Sequence, residues 1–352
     1  MTSRSKALCI GISYAGTEAE LPGPINDALH WVEVLTQHCN FHRSNVLVMI
    51  DEYPSGEAVL DDDAEHMLPT KENIMEALDW LVEDVAEGDI VFFVFSGHGV
   101  PLPDTALING EAHLEEAICP VDWEEFEWGL VPYRLISLNL LHRYFAKLPG
   151  GVLFTAVFDT CLVGDPLRVP FRTDYQHPGR ELTCEPVTQA EYENCSPSSD
   201  AWLQSEHVNA LPRRPPVELR RPLWSHVARH FLKDTSPPLN EGLALFCFAA
   251  CRGAQSAIDA TVEGLAQGCL SFCLLRALEL LNYTCTYAQL AEATNKVARR
   301  MRSEVMPEMD QFFQLSYGKN ARPSECVAFD PTSALVAKDR ARRRRGQWHR
   351  PA

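Results

Sequence analysis

The sequence predicts an α/β fold with a mostly parallel central sheet and helices on both faces. Three observations carry this reading. Short apolar runs end on glycine or polar breakers, as buried strands of a parallel sheet do. Amphipathic segments of helical period stand between them. Strand and helix signals alternate through the first 160 residues of the 352-residue chain.

The elements follow in order. Ala7–Ile12 reads as the first strand. A helix follows from about Asn26, with Ala28, Trp31, Val32 and Leu35 on one face and Asn26 or Asp27 suited to its N-terminus. Asn45–Ile50 is the second strand. A second helix opens at Pro69-Thr70-Lys71, capped by Thr70, with Ile74, Ala77, Leu78, Leu81, Val82 and Val85 facing inward and Gly88 as its stop. Ile90–Phe95 is a strand that runs into Ser96-Gly97-His98-Gly99. A third helix, about 134–147, precedes a strand from Gly151 to Phe158 that runs into Asp159-Thr160-Cys161. Later, Leu243–Ala250 is a strand, Cys269–Leu281 a buried helix, Tyr287–Met301 another helix, and Glu325–Phe329 a last short strand.

Two of these strands end on residues with chemistry. Open α/β sheets place their chemistry at the carboxyl ends of parallel strands. His98 and Cys161, 63 positions apart, are therefore expected at one sheet edge. A cysteine nucleophile and its general base need that proximity. Either residue alone carries little: a histidine can be a turn residue bonded to backbone, and cysteine is often simply buried.

Composition narrows the rest. The chain is 46% hydrophobic, enough for a sizeable core, and has no apolar run long enough to cross a bilayer. Its twelve cysteines include none at CxxC spacing, and Cys9, Cys247, Cys269 and Cys273 sit in apolar runs. Buried free thiols fit this better than a disulfide framework or a zinc ribbon. The first apolar run is too short for a signal-peptide core, so a cytoplasmic protein is expected. Net charge is −17; residues 338–352 carry one Lys, six Arg and one Asp, so the remainder carries −23. A body this acidic repels nucleic acid and attracts cationic ligands. The basic tail is a candidate nuclear signal or anionic-surface anchor, or a solvated end. Neither nucleic acid nor membrane is expected as a partner.

The region 165–242 breaks the pattern. Eleven of the 24 prolines fall between 165 and 240. It reads as an exposed insertion between an N-terminal part, 1–164, and a C-terminal part of the same fold, 243–330, followed by a disordered tail, 331–352.

With those residues in view, the chain resembles the metacaspases, caspase-like cysteine peptidases of clan CD and peptidase family C14. The resemblance rests on Ala7–Thr17, on Leu21-Pro22-Gly23-Pro24-Ile25-Asn26-Asp27-Ala28, on Pro69–Ile74, on Ser96-Gly97-His98-Gly99 and on Asp159-Thr160-Cys161. It continues in Ala250–Ala257 and Gln311–Ser316, covering roughly 6–164 and 243–318. It implies a caspase-like αβα sandwich and a monomer, unlike the dimeric caspases. Cys161 would be the nucleophile, His98 the proton shuttle, and the Gly99 and Cys161 N–H groups the oxyanion hole. Asp27 and Asp159, with Ser96, would form a pocket for a basic P1 residue. Its substrates would then be peptides and proteins cut after Arg or Lys.

The resemblance also fails in places. Leu162-Val163 stands where the family commonly has His-Ser, and Tyr133-Arg134 where many members carry two calcium-binding acids. Arg168 opposes calcium too; Glu115 and Glu116 are a possible remnant. Calcium wants six or more oxygens with net negative charge, so activation by calcium is expected to be weakened or absent and no cofactor required. The same departures admit a second reading, a weakly active or inactive caspase-like scaffold that acts by binding. Arg172, Arg180, Arg213, Arg214, Arg220 and Arg221 in the insertion are candidate self-cleavage sites, since exposed loops are preferred for nicking.

Overall fold

The computed structural model describes residues 4–52, 68–108, 111–123, 125–126, 129–130, 134–162, 165–173, 181–183, 210–213, 237–251, 257–262, 264–307, 309, 311 and 313–333. Its centre is one eight-stranded sheet. Five parallel strands come first: β1 (Ser5–Gly11), β2 (Val46–Ile50), β3 (Ile90–Ser96), β9 (Leu153–Asp159) and β13 (Ala244–Ala249). They lie in the order β13-β9-β3-β1-β2. Beyond β13 the sheet continues with β16 (Gln314–Tyr317), β10 (Phe171–Thr173) and β11 (Glu181–Thr183), all antiparallel.

Smaller strands surround the sheet's carboxyl edge. β4 (Gly99–Ile108) and β5 (Glu111–Ile118) form a hairpin that β8 (Ile136–Ser137) joins. β6 (Glu125–Phe126) pairs with β7 (Gly129–Leu130). β12 (Ala210–Pro212), β14 (Ile258–Val262) and β15 (Leu265–Gly268) make a three-stranded antiparallel sheet.

Alternation along the parallel strands builds two apolar layers. Ala7, Cys9, Phe92, Val94 and Val157 face one side, where α1 (Pro24–His38), α4 (Cys269–Leu280) and α5 (Tyr287–Glu304) bury Trp31, Leu274 and Leu290. Leu8, Ile10, Phe93, Phe95, Phe154 and Phe158 face the other, against α2 (Lys71–Val82) and α3 (Leu138–Phe145). The result is the αβα sandwich expected from the sequence. Each fully buried Phe contributes about 1.5–3 kcal/mol, and Phe93, Phe145, Phe154 and Phe158 also pack ring against ring at 4.7–5.5 Å.

Several boundaries differ from the sequence reading. α1 begins at Pro24, two to three residues earlier than expected, and has no side-chain cap because the capping position is Gly23; Asp27 lies within its first turn. Thr70 does cap α2, accepting from Asn73 N at 3.2 Å. That helix ends at Val82, and Gly88, at φ +92°, belongs to the turn entering β3. The third helix is shorter than expected, at 138–145. Glu325–Phe329 is no strand: only Val327 makes a bridge, to Thr286.

The insertion is also partly misread. Residues 171–173 and 181–183 extend the main sheet, and 210–213 is docked against the body. Arg213, expected in exposed chain, is wholly buried. Arg172 is half-buried on β10. Arg180, Arg214, Arg220 and Arg221 lie outside the described residues, as does the 334–352 tail.

Candidate active site

β3 and β9 are adjacent and in register, with Ser96 opposite Asp159. Their carboxyl ends therefore deliver Ser96-Gly97-His98-Gly99 and Asp159-Thr160-Cys161 to one place. Gly99 is required there: a Cβ would lie 2.6 Å from both Cys161 O and Thr160 Oγ1.

His98 is held on every side. Its N–H donates to Tyr14 Oη at 2.9 Å, its carbonyl accepts from Cys119 N at 3.0 Å, and the Tyr14 ring lies 4.7 Å away. Tyr14 Oη in turn donates to Cys119 O at 2.7 Å. His98 Nε2 is 2.7 Å from Ala19 O. A carbonyl can only accept, so Nε2 carries the proton and Nδ1 presents the lone pair. Nδ1 has no hydrogen-bond partner among the described residues. Burial pushes the imidazole down to about 4, outweighing the nearby Ala19 and Arg213 backbone groups that act the other way, so it is neutral near pH 7.

Cys161 is half-buried, with its Sγ 3.1 Å from Ala257 N and 3.5 Å from Ala257 O. Leu162, where the resemblance led one to expect histidine, is buried in the core. Cys251 lies beneath this turn, its thiol 3.0 Å from Leu162 O.

Beside the pair sits a pocket of acids filled by a segment of the chain itself. The Arg213 guanidinium is fully buried in it. Nη1 donates to Ser96 Oγ at 2.5 Å and Asp159 O at 2.7 Å, with Asp159 Oδ1 at 3.4 Å. Nη2 donates to Asp27 Oδ2 at 2.6 Å and lies 3.7 Å from Asp259 Oδ1. Backbone N–H groups hold the acids: Gly268 N on Asp27 at 2.9 Å, Ser271 N in the first turn of α4 on Asp159 at 2.7 Å, and Gly23 N on Asp259 at 2.9 Å. Asp27 thus serves this pocket and not the end of α1.

The main chain of the segment is fixed as well. Arg213 N donates to Ala257 O at 2.9 Å, and Gly99 N donates to Arg213 O at 3.1 Å. β12 pairs with β14 immediately upstream, Pro212 opposite Ile258.

Charge dictates much of this arrangement. Burial raises the carboxyl pKa of all three aspartates, Asp159 to about 6; Arg213 pulls each of them back down. Burial works against the Arg213 charge, yet Asp159, Asp27 and Asp259 together hold its pKa above the ordinary value. Sequence reasoning found Asp27, Ser96 and Asp159 and missed Asp259, Tyr14 and Gly268. An isolated acid between Ile258 and Ala260 was the available signal for Asp259.

No group of three or more His, Cys, Asp or Glu among the described residues is placed to hold a metal ion. Arg134 instead pairs with Asp122 at 3.4 Å, and Lys71 N donates to the same carboxylate at 2.7 Å. Glu116 is buried; the Glu115 and Tyr133 side chains lie outside the described residues.

Residues 5–170 match the metacaspase, peptidase C14 domain. Over those residues, just under half of its length, the chain belongs to the metacaspase family. Among curated metacaspases, it is 34% identical over 170 residues to metacaspase-5 of Trypanosoma brucei brucei, covering 48% of this chain and 30% of that one. It is 36% identical over 176 residues to metacaspase-1 of Candida glabrata, covering 49% and 40%. A longer alignment, with metacaspase-1 of Coccidioides immitis, is 27% identical over 317 residues and covers 90% and 62%. The chain thus spans between about a third and two thirds of the length of these relatives. A crystal structure of a Geobacter sulfurreducens protein superposes with a TM-score of 0.54 at 17% identity, over 91% of this chain and 95% of that one, and shares its fold. No helix among the described residues is long and apolar enough to cross a membrane.

Proposed function

We propose that this metacaspase is a cysteine endopeptidase that cleaves after a basic residue, and that the first bond it meets is its own Arg213–Arg214 bond. One observation carries the reading. Arg213 is docked as a P1 residue, its guanidinium among Asp27, Ser96 and Asp159 and its carbonyl oxygen on Gly99 N. Of the six arginines proposed as cleavage sites, it is the one with this geometry among those described. The pairing of β12 with β14 is the extended backbone recognition expected of a peptidase cleft.

The chemistry follows from the placement. The Cys161 thiol gives its proton to His98 Nδ1, and Sγ attacks the Arg213 carbonyl carbon. The oxygen gains negative charge while held by Gly99 N–H, with Cys161 N–H as the second proposed donor. The carbon–nitrogen bond breaks, and His98 returns the proton to the departing Arg214 amine. Water then attacks the thioester, with His98 again as base, and frees Cys161. Ala257 aligns the partners, since its carbonyl binds Arg213 N and its amide binds Cys161 Sγ.

Calcium takes no part in these steps. The Arg134–Asp122 pair already supplies a cation at the segment where relatives carry acids, which supports calcium-independent activity. Titration calorimetry tests this: micromolar calcium binding lost on Glu115→Ala would overturn it. The substrates implied are proteins and peptides with a basic P1 residue, and the body's acidity favours them at long range.

Intact-mass spectrometry of the purified chain tests the main reading. A break after Arg213, absent in Cys161→Ala and lost at that bond in Arg213→Ala, is expected. A wild-type chain that stays whole after long incubation and leaves basic fluorogenic peptides uncut would refute the peptidase reading and leave the scaffold.

A further inference from the structure

We propose that Asp259 is a specificity-determining residue of the P1 pocket, and that with Asp27 and Asp159 it makes the pocket select arginine over lysine. This rests on the peptidase reading above and deepens it. The two terminal nitrogens of Arg213 have separate partners. Nη1 is taken by Ser96 Oγ and by the Asp159 carbonyl and carboxylate, at 2.5, 2.7 and 3.4 Å. Nη2 points the other way, to Asp27 Oδ2 at 2.6 Å and Asp259 Oδ1 at 3.7 Å. A guanidinium bridges the two sets because it is a planar fork. A lysine side chain ends one bond short and carries one nitrogen, so it satisfies one set and leaves the other buried and unpaired. A site built for paired donors rejects a ligand that lacks one of them far more strongly than an apolar pocket would.

Asp259 is placed for this task by the strand that also reads the peptide backbone. It lies on β14 opposite Leu211 of the docked segment, and it is 1% exposed. Its Oδ2 is fixed by Gly23 N at 2.9 Å, while Oδ1, on the Nη2 side, has no hydrogen-bond partner among the described residues. Gly23 must be glycine, because a Cβ there would collide with Asp259 Oδ1. The charge count leads to the same result. Three carboxylates in a dry pocket face one cation, and a delocalised guanidinium gives up its hydration more readily than a compact ammonium. A purely structural role, holding Gly23 at the start of α1, would need only the Oδ2 bond.

The test uses the full chain cutting itself, so no added substrate has to enter the pocket. Single-turnover self-cleavage is compared for Arg213 and Arg213→Lys, each with Asp259 and with Asp259→Asn. The amide keeps an oxygen for Gly23 N–H and removes the charge. With Asp259 present, Arg213→Lys is expected to slow cutting at this bond at least about tenfold, the loss of one charge-assisted hydrogen bond. With Asp259→Asn the ratio shrinks to about threefold or less. An arginine-to-lysine ratio near one in the wild-type background, or the same ratio in both, would overturn the proposal. A second readout needs no catalysis. In Cys161→Ala chains, melting temperatures of the same four combinations form a cycle. Arg213→Lys should lower the melting temperature more with Asp259 than with Asp259→Asn; an equal drop would overturn the proposal even if the peptidase reading stood. Absence of any cutting with a coupled melting cycle would sink the peptidase reading alone. The two chains that keep Asp259, with Arg213 and with Arg213→Lys, still give a cutting ratio and a melting difference if Asp259→Asn does not fold.

Discussion

Gly268→Ala probes the pocket by space alone. Gly268 ends β15 at φ −72° and ψ 139°, a conformation any residue adopts, so the substitution brings no backbone strain. A Cβ there would lie 2.5 Å from Arg213 Nη2 and closer still to Asp159 Oδ2. Ordinary contact needs about 3.5 Å, so both neighbours must move by roughly 1 Å. The guanidinium is the far end of a flexible side chain and gives way readily, while Asp159 can shift only by straining its 2.7 Å bond from Ser271 N. The arginine and its carboxylate partner are therefore both displaced. A displacement of that size at a reacting group costs about 100-fold in rate, and overpacking costs about 1–3 kcal/mol in stability. The expected result is a chain that still melts cooperatively, a few degrees lower, and cuts itself after Arg213 about 100-fold more slowly. Time courses by intact-mass spectrometry read the rate, and calorimetry reads the melt. A folded Gly268→Ala chain cutting within about threefold of wild type would show that Arg213 is not recognised in this pocket.

Three further outcomes are expected. His98→Ala should keep the fold and lose about 10²–10⁴-fold of the self-cleavage rate, the usual contribution of a general acid–base, measured by the same time course. Tyr14→Phe strands the buried His98 N–H and Cys119 O, which should cost about 1–3 kcal/mol for each group in denaturant unfolding, and should slow cutting without abolishing it. For pH, Arg213 lowers the Asp159 pKa, so the occupied value of about 6 lies below that of an empty pocket. Binding of a P1 arginine thus releases a proton, and its affinity declines as pH is lowered toward about 6 and levels off beneath that. His98, held near 4, stays neutral over this range, so on a basic peptide KM should rise between pH 8 and 6 while kcat holds; the opposite split would refute the assignment.

The sandwich and the meeting of the His98 and Cys161 strand ends were legible for one physical reason. β3 and β9 are buried on both faces, so their apolar runs are unbroken and their ends stand out in the sequence. Because Ser96 pairs with Asp159, the two ends then coincide in space. Asp27 was legible only through its resemblance to a family segment, since Gly23-Pro24-Ile25-Asn26-Asp27 looks locally like an ordinary helix start. The identity of the docked arginine was not legible. Six arginines share the same proline-rich surroundings, and what singles out Arg213 is a register, β12 against β14, set by the fold at large separation. Asp259 was hidden for the same reason: its partners Gly23 and Arg213 are 236 and 46 positions away. The hairpin β4–β5 was missed because its prolines at 101 and 103 argue against a strand.

The docked segment bears on what self-cleavage would accomplish. Its described contacts all lie on the N-terminal side of the scissile bond: the β12–β14 ladder, Arg213 N on Ala257, the guanidinium among the acids, and the carbonyl on Gly99 N. Hydrolysis after Arg213 breaks none of them. The new carboxyl terminus also stays attached through the chain to β10 and β11, which belong to the main sheet. A tethered ligand competes at an effective concentration of roughly millimolar, without any new contact. Cutting this bond therefore leaves the pocket filled by its own product, and turnover of another protein requires that residues 210–213 be displaced or removed. Fully self-cut protein should accordingly hydrolyse an arginine peptide more slowly than uncut Arg213→Ala, whose segment has lost its anchor. Equal rates would mean that the product leaves freely, and that the ladder to β14 contributes little once the bond is broken.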